Sequence, residues 1–153
     1  MTQEEIPNLE KRTFQSVLSL EFITARNMLD QDLFAFLTPH TEEDYENKGT
    51  KLFLSEDKKS GFGINPEGEL ISVFSLERQR GKILVAEAKK YGASYLSCMG
   101  DHLLELYSEF DFSPVEVLTW NNQFTPKNWN YERFGTPNIY EMRLVNKYTK
   151  EFD

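Results

Sequence analysis

The run Val73-Phe74-Ser75-Leu76-Glu77-Arg78-Gln79-Arg80-Gly81-Lys82-Ile83 sets an apolar, strand-like segment, a short turn and a helix start in immediate succession. A helix amino terminus carries N–H groups without intrahelical acceptors and a partial positive charge, and together these hold phosphate or pyrophosphate. Gly81 allows a ligand to approach the backbone closely. Arg78, Arg80 and Lys82 add local positive charge to a chain that is acidic on average. The same residues also make an ordinary solvated turn, so the pattern needs a second signal.

Other residues with chemical potential are few. Tyr107 lies on the stripe Leu103, Leu104, Tyr107, Phe110. It reads as a core tyrosine or as a proton donor, since a phenol with a reference pKa of about 10 stays protonated at neutral pH. Cys98 sits inside an apolar run, which fits a buried structural thiol better than a nucleophile paired with His102. His40 follows Pro39 in a loop and suggests nothing specific. Two histidines more than sixty residues apart make a poor metal site, and no metal is expected.

These residues require particular elements. Apolar spacing from Phe14 to Leu37 predicts helices from Thr13 to Thr38, broken near Asn27 to Asp30, with Asp30 as an N-cap. A further helical turn fits Thr41–Lys48. Lys51–Leu54, Gly61–Ile64 and Leu70–Leu76, separated by two turn signals, read as an antiparallel meander. A helix follows from Ile83 to Tyr91, stopped by Gly92. Ser94–Met99 reads as a strand, and Asp101 as the cap of a helix through Phe110 that Ser113-Pro114 breaks. Val115–Trp120 and Tyr140–Val145 read as late strands. The fold class is therefore α+β, a mixed sheet flanked by helices.

With that order in place, the sequence resembles a divergent member of the GCN5-related N-acetyltransferase (GNAT) superfamily. The family's acetyl-CoA signature, Val-x-Pro-x-x-(Arg/Gln)-x-x-Gly-x-(Gly/Ala), is met by Val73, Arg78 and Gly81, with Ser75 for proline and Ile83 for the small last residue. Downstream, Leu103 to Phe112 is similar to the family's Leu-x-x-x-Tyr-x-x-x-Gly-Phe, with Asp111 for glycine. The resemblance spans roughly residues 13–146 and implies one central, mostly antiparallel sheet. In it, strands near 70–76 and 94–99 would lie side by side, parallel and splayed at their carboxyl ends. Their assignment to separate sheets would end the acetyltransferase reading.

The resemblance further implies an acetyl-CoA-dependent N-acyltransferase acting on an amine of a small molecule or protein. The cofactor arm would lie along Val73, Phe74, Ser75 and Leu76, and its pyrophosphate on Arg78, Gln79, Arg80, Gly81, Lys82 and Ile83. An N–H near Phe74 or Ser75 would polarise the thioester carbonyl. Tyr107 would protonate the leaving sulfur, and Glu69 and Glu77 are the candidate bases. The loop Phe124–Pro137, rich in aromatic and polar residues, would border the acceptor or else cover the sheet edge.

The composition narrows the alternatives. At 153 residues the chain reads as a single domain over 1–153, with residues 1–12 loosely held. Seventeen basic against twenty-five acidic residues give a net charge of −8, which disfavours nucleic-acid phosphates and anionic lipid. With one cysteine, no signal-peptide pattern and no apolar run of about 20 residues, a cytoplasmic protein without membrane attachment is expected. The alternative function is a noncatalytic protein that keeps the fold and binds a macromolecular partner, such as a phage-encoded inhibitor of a host protein. The acceptor and the oligomeric state are not legible in the sequence.

Overall fold

The computed structural model describes residues 13–145, so the expectation for residues 1–12 lies outside the described residues. The first element corrects the sequence reading. Phe14–Val17 is not helical but a strand, β1, paired antiparallel with Lys51–Ser55, β2. Phe14 and Val17 fit a helical stripe, but pairing with β2 buries Phe14 at 4% exposure against Phe62. Helix begins only at Ser19–Arg26, α1.

After the break, Gln31–Phe34 forms α2, and the Asp30 carboxylate accepts the Asp32 N–H at 2.8 Å as expected of an N-cap. Glu42–Lys48 forms α3. Thr41 and Asp44 build a reciprocal capping box at its start, with bonds of 3.1 and 2.9 Å. Gly49 ends it at φ 68°, a left-handed position that favours glycine.

The meander is as read. Strands β2, β3 (Ser60–Ile64) and β4 (Leu70–Ser75) continue from β1 in the order β1-β2-β3-β4, all antiparallel. Gly81–Lys90 forms α4, Tyr95–Met99 forms β5 and Asp101–Ser108 forms α5. Asp101 is not the cap of α5 but its first residue; Gly100 occupies the cap, and the Asp101 carboxylate accepts the Tyr140 hydroxyl at 2.6 Å.

Pro114 also departs from expectation. It lies within β6 (Phe112–Leu118) rather than ahead of it. A register shift beside Pro114 and the position of β6 at the sheet edge explain how a residue without N–H is tolerated. Tyr131–Phe134, α6, and Ile139–Leu144, β7, are the last elements among the described residues, and β7 lies between β5 and β6.

The single central sheet is corrected to two hydrogen-bonded sheets. Strands β4 and β5 run parallel but meet only at the bridge Glu69–Tyr95. Beyond it they separate, so the strands fall in separate sheets, the outcome set above against an acetyltransferase. That criterion was too strict, because the parallel bridge keeps the two strands neighbours and the separation is a splay that breaks the ladder. The larger core fills the space between both sheets, α4 and α5, with Phe62, Val85, Leu96 and Met142 almost fully buried. A smaller core of Phe22, Tyr45, Leu54 and Phe74 seats α1 and α3 on the first sheet. Among the described residues, no helix is long and apolar enough to cross a membrane.

Candidate active site

The divergence of β4 from β5 opens a cavity of about 480 Å³. Ser72 and Val73 form one wall, Cys98 and Met99 the other, and Leu103 and Tyr107 from α5 contribute to the lining. Past the Glu69–Tyr95 bridge, the β5-facing edge of β4 has no strand partner among the described residues. An extended ligand can therefore pair with that backbone.

Strand β4 carries a bulge at this wall. Gly61 pairs with Phe74 and Gly63 with Ile71, so Phe62 alone faces both Ser72 and Val73. Ser72 takes φ 55°, a left-handed conformation that costs a non-glycine residue roughly 1–3 kcal/mol. A buried polar chain holds it. Arg26 Nη1 donates to Tyr45 Oη at 3.0 Å, and the Tyr45 hydroxyl shares a 2.7 Å bond with Ser72 Oγ. Arg26 is 4% exposed and has no carboxylate partner among the described residues. Instead it bonds Asn27 and the His40 carbonyl, and it lies over the Phe34 ring at 5.3 Å.

The turn after β4 has the predicted strand-to-helix form. Ser75, standing where the resembling motif has proline, opens it by bonding both the N–H and the carbonyl of Glu77. Gln79 adopts φ 65°. The N–H groups of Gly81, Lys82 and Ile83 have no acceptor among the described residues, as the first turn of a helix requires. Arg78 is exposed, whereas Lys82 lies 3.5 Å from Glu109 at the surface.

Three residues of this segment serve packing. The Arg80 guanidinium turns away from the helix start and forks onto Asp57 at 2.6 and 3.0 Å, with Ser60 Oγ at 3.1 Å. Ile83 packs on the larger core. Gly81 lies against Leu106, where an added Cβ would meet Leu106 Cδ2 at 2.9 Å. Phe74 is buried under α1 and can offer a ligand only its backbone. Leu76 is half exposed at the end of the strand.

The acid–base candidates fall in different places. Tyr107 lines the cavity at 5% exposure, and its hydroxyl has no hydrogen-bond partner among the described residues. Burial, and then the nearby Cys98, push its pKa above the usual phenol range. Cys98 is buried, and desolvation pushes its thiol up to about 12, so it stays protonated. Glu69 lines the cavity near the bridge and accepts the Asn65 amide at 3.1 Å. Glu77 is not at the cavity; it is exposed on the turn and pairs with Lys59 at 3.0 Å.

His40, dismissed at the level of sequence, lines the cavity with Lys48. Nothing in the linear pattern pointed to it, because α1 and α3 bring it there. Desolvation, followed by the charges of Lys48 and Arg26, lowers its pKa, with Asp44 opposing.

The aromatic loop is docked. Trp129 lies 5.0 Å from Phe36 and 4.9 Å from Trp120, and Phe134 meets Phe36 edge-on at 4.8 Å. Asn130 and Arg133 both reach Asp32 at the start of α2. Phe36 also lines the cavity, so the loop supports its wall. No group of three His, Cys, Asp or Glu side chains able to hold a metal occurs among the described residues.

No protein-family model matches the chain, and no curated protein matches it. Solved structures do. NAA60 of Arabidopsis thaliana, in complex with a bisubstrate analogue, is 16% identical with a TM-score of 0.57, covering 85% of this chain and 95% of that one. An acetyltransferase of Bacillus subtilis in complex with CoA is 14% identical with a TM-score of 0.55, covering 87% and 97%. A GCN5-related N-acetyltransferase of Kribbella flavida is 11% identical with a TM-score of 0.51, again covering 87% and 97%. At such identities the likeness establishes the fold.

Proposed function

We propose that this chain, which has the fold of the GCN5-related N-acetyltransferases, is an acetyl-CoA-dependent N-acyltransferase acting on an amine of a small molecule or protein. The observation that carries this reading is the unpaired, bulged edge of β4 leading straight into a turn of open N–H groups. The edge from Val73 to Leu76 suits an amide-bearing arm, which needs a backbone to pair with. The N–H groups of Gly81 to Ile83, with Arg78 and Lys82 beside them, suit a pyrophosphate. Arg80 would act by bracing the turn through Asp57 rather than by touching phosphate. The fit of this surface to acetyl-CoA rests on those donors and on the adjoining cavity.

Within the cavity, a backbone N–H at the β4 bulge or just after it would polarise the thioester carbonyl. The Tyr107 hydroxyl, protonated and without a protein partner, would give its proton to the departing sulfur. Glu69 lies on the same wall as a charged group able to orient an amine. Acetyl-CoA enters as a consumed co-substrate.

The test is release of free CoA thiol from acetyl-CoA, followed with and without primary amines. Amine-dependent release with an acetylated product is the expected result. Acetyl-CoA binding without release under any amine would favour the noncatalytic, partner-binding alternative.

A further inference from the structure

We propose that His40 is the general base that takes the proton from the attacking amine; this rests on the acyltransferase reading above. His40 lines the cavity together with Ser72 and Val73 of the bulged wall. Its ring lies 5.2 Å from that of Tyr45, whose hydroxyl is 2.7 Å from Ser72 Oγ. The imidazole is thus about one side chain away from the bulge where the acyl group would rest. It has no hydrogen-bond partner among the described residues, so a ring nitrogen is open to a substrate.

The surrounding structure holds the backbone that carries the ring. Arg26 Nη1 holds the His40 carbonyl at 2.8 Å, and the His40 N–H bonds the Thr38 carbonyl at 2.8 Å. The next residue, Thr41, is the cap of α3. With both backbone polar groups of His40 engaged, its Cα is set at the cavity edge and only the side-chain torsions remain to adjust when the amine arrives.

The charges around the ring set its protonation. Arg26 faces it from α1, Asp44 and Lys48 from α3, and Glu69 shares the cavity wall. Burial, Lys48 and Arg26 outweigh Asp44, so the imidazole is neutral at neutral pH and can accept a proton. Glu77, by contrast, is paired with Lys59 outside the cavity, and Glu69 is engaged by Asn65.

The step balances. The amine nitrogen bonds to the acetyl carbonyl carbon as the carbon–sulfur bond of acetyl-CoA breaks. The proton on nitrogen passes to His40, and the thiolate leaving with CoA takes a proton from Tyr107. His40 then loses its proton to solvent, and Tyr107 regains one. The net transfer is of acetyl to nitrogen and of hydrogen to sulfur.

The experiment compares wild type, His40→Gln and His102→Gln. Acetyl-CoA affinity is measured by calorimetry, and CoA release with a primary-amine panel (a polyamine, a lysine peptide and an aromatic amine) is followed across pH. For wild type and His102→Gln, kcat should rise with pH through a limb below the ordinary histidine value of about 6.5. His40→Gln should bind acetyl-CoA as before, melt as before, lose that limb and lose roughly 10²–10⁴-fold in kcat. Full turnover and an intact limb in His40→Gln would overturn the proposal while leaving the acyltransferase reading in place. Loss of acetyl-CoA binding in that variant would overturn it as well, by assigning His40 to the shape of the cleft. A wild type that binds no acetyl-CoA, or binds it and releases no CoA with any amine, would overturn both.

Discussion

The hydroxyls of Tyr45 and Ser72 lie 2.7 Å apart in the protein interior, joining α3 to the one bulged position of β4. Arginine only donates, so Arg26 occupies Tyr45 Oη as an acceptor and leaves the phenol proton for Ser72. A left-handed serine in mid-strand is thereby tied to a buried cation. Tyr45→Phe keeps the ring against Phe22 but strips both partners. Urea unfolding should show a loss of about 1–3 kcal/mol. An unchanged midpoint would mean that the bulge holds without this bond.

The Asp57–Arg80 fork makes a pH-dependent contribution. The Arg80 guanidinium beside Asp57 holds its carboxyl well below the usual carboxylate range, against the opposing effect of burial. A depressed folded pKa stabilises the protein fully above the unfolded value of about 3.9, and the effect drains away as pH falls through the folded value. Asp57→Asn should therefore cost about 1.5–3 kcal/mol at neutral pH. The gap from wild type should narrow steadily below about pH 4. A gap independent of pH would show that the carboxylate charge contributes nothing.

Tyr107→Phe separates chemistry from packing. The hydroxyl has no protein partner among the described residues, so its removal breaks no bond, and the melting temperature should hold or rise slightly. Turnover should fall by roughly 10²–10⁴-fold if the phenol protonates the leaving thiolate. Unchanged turnover at an unchanged melting temperature would hand that proton transfer to water.

The sequence was legible where local chemistry settles the outcome. Asp30 and the turn from Asn65 to Gly68 mark their elements by side-chain and backbone rules that act within a few residues, whereas the Thr41 capping box went unread. Asp111 illustrates a departure that local geometry accommodates. It stands where the resembling motif has glycine and takes a left-handed conformation, φ 72°, which aspartate tolerates better than most residues.

Long-range pairing was not legible. Residues 14–17 fit a helix until β2 claims them, and Pro114 looks like a breaker until an edge position makes its missing N–H irrelevant. The strand-to-helix turn could be placed by spacing, yet the Asp57 partner of Arg80 could not, because it lies 23 residues earlier. His40 and the Arg26–Tyr45–Ser72 chain join α1, α3 and β4, and no local pattern announces such a meeting.

Gly81 turns out to be an unsuitable probe of the phosphate turn. Any side chain there strikes Leu106, so Gly81→Asp would disturb the α4–α5 contact as well as a bound anion. Arg78, exposed and without an ion-pair partner among the described residues, is the cleaner site for a charge change.

The most direct measurement is thermal and chemical unfolding of the full chain with and without acetyl-CoA, on wild type and Arg78→Glu together. At 100 times its dissociation constant, acetyl-CoA should add about 2.7 kcal/mol to wild-type stability. Arg78→Glu should melt normally alone and gain clearly less at the same ligand concentration. No stabilisation of the wild type at millimolar acetyl-CoA would contradict the assignment of the β4 edge and its turn as an acetyl-CoA site.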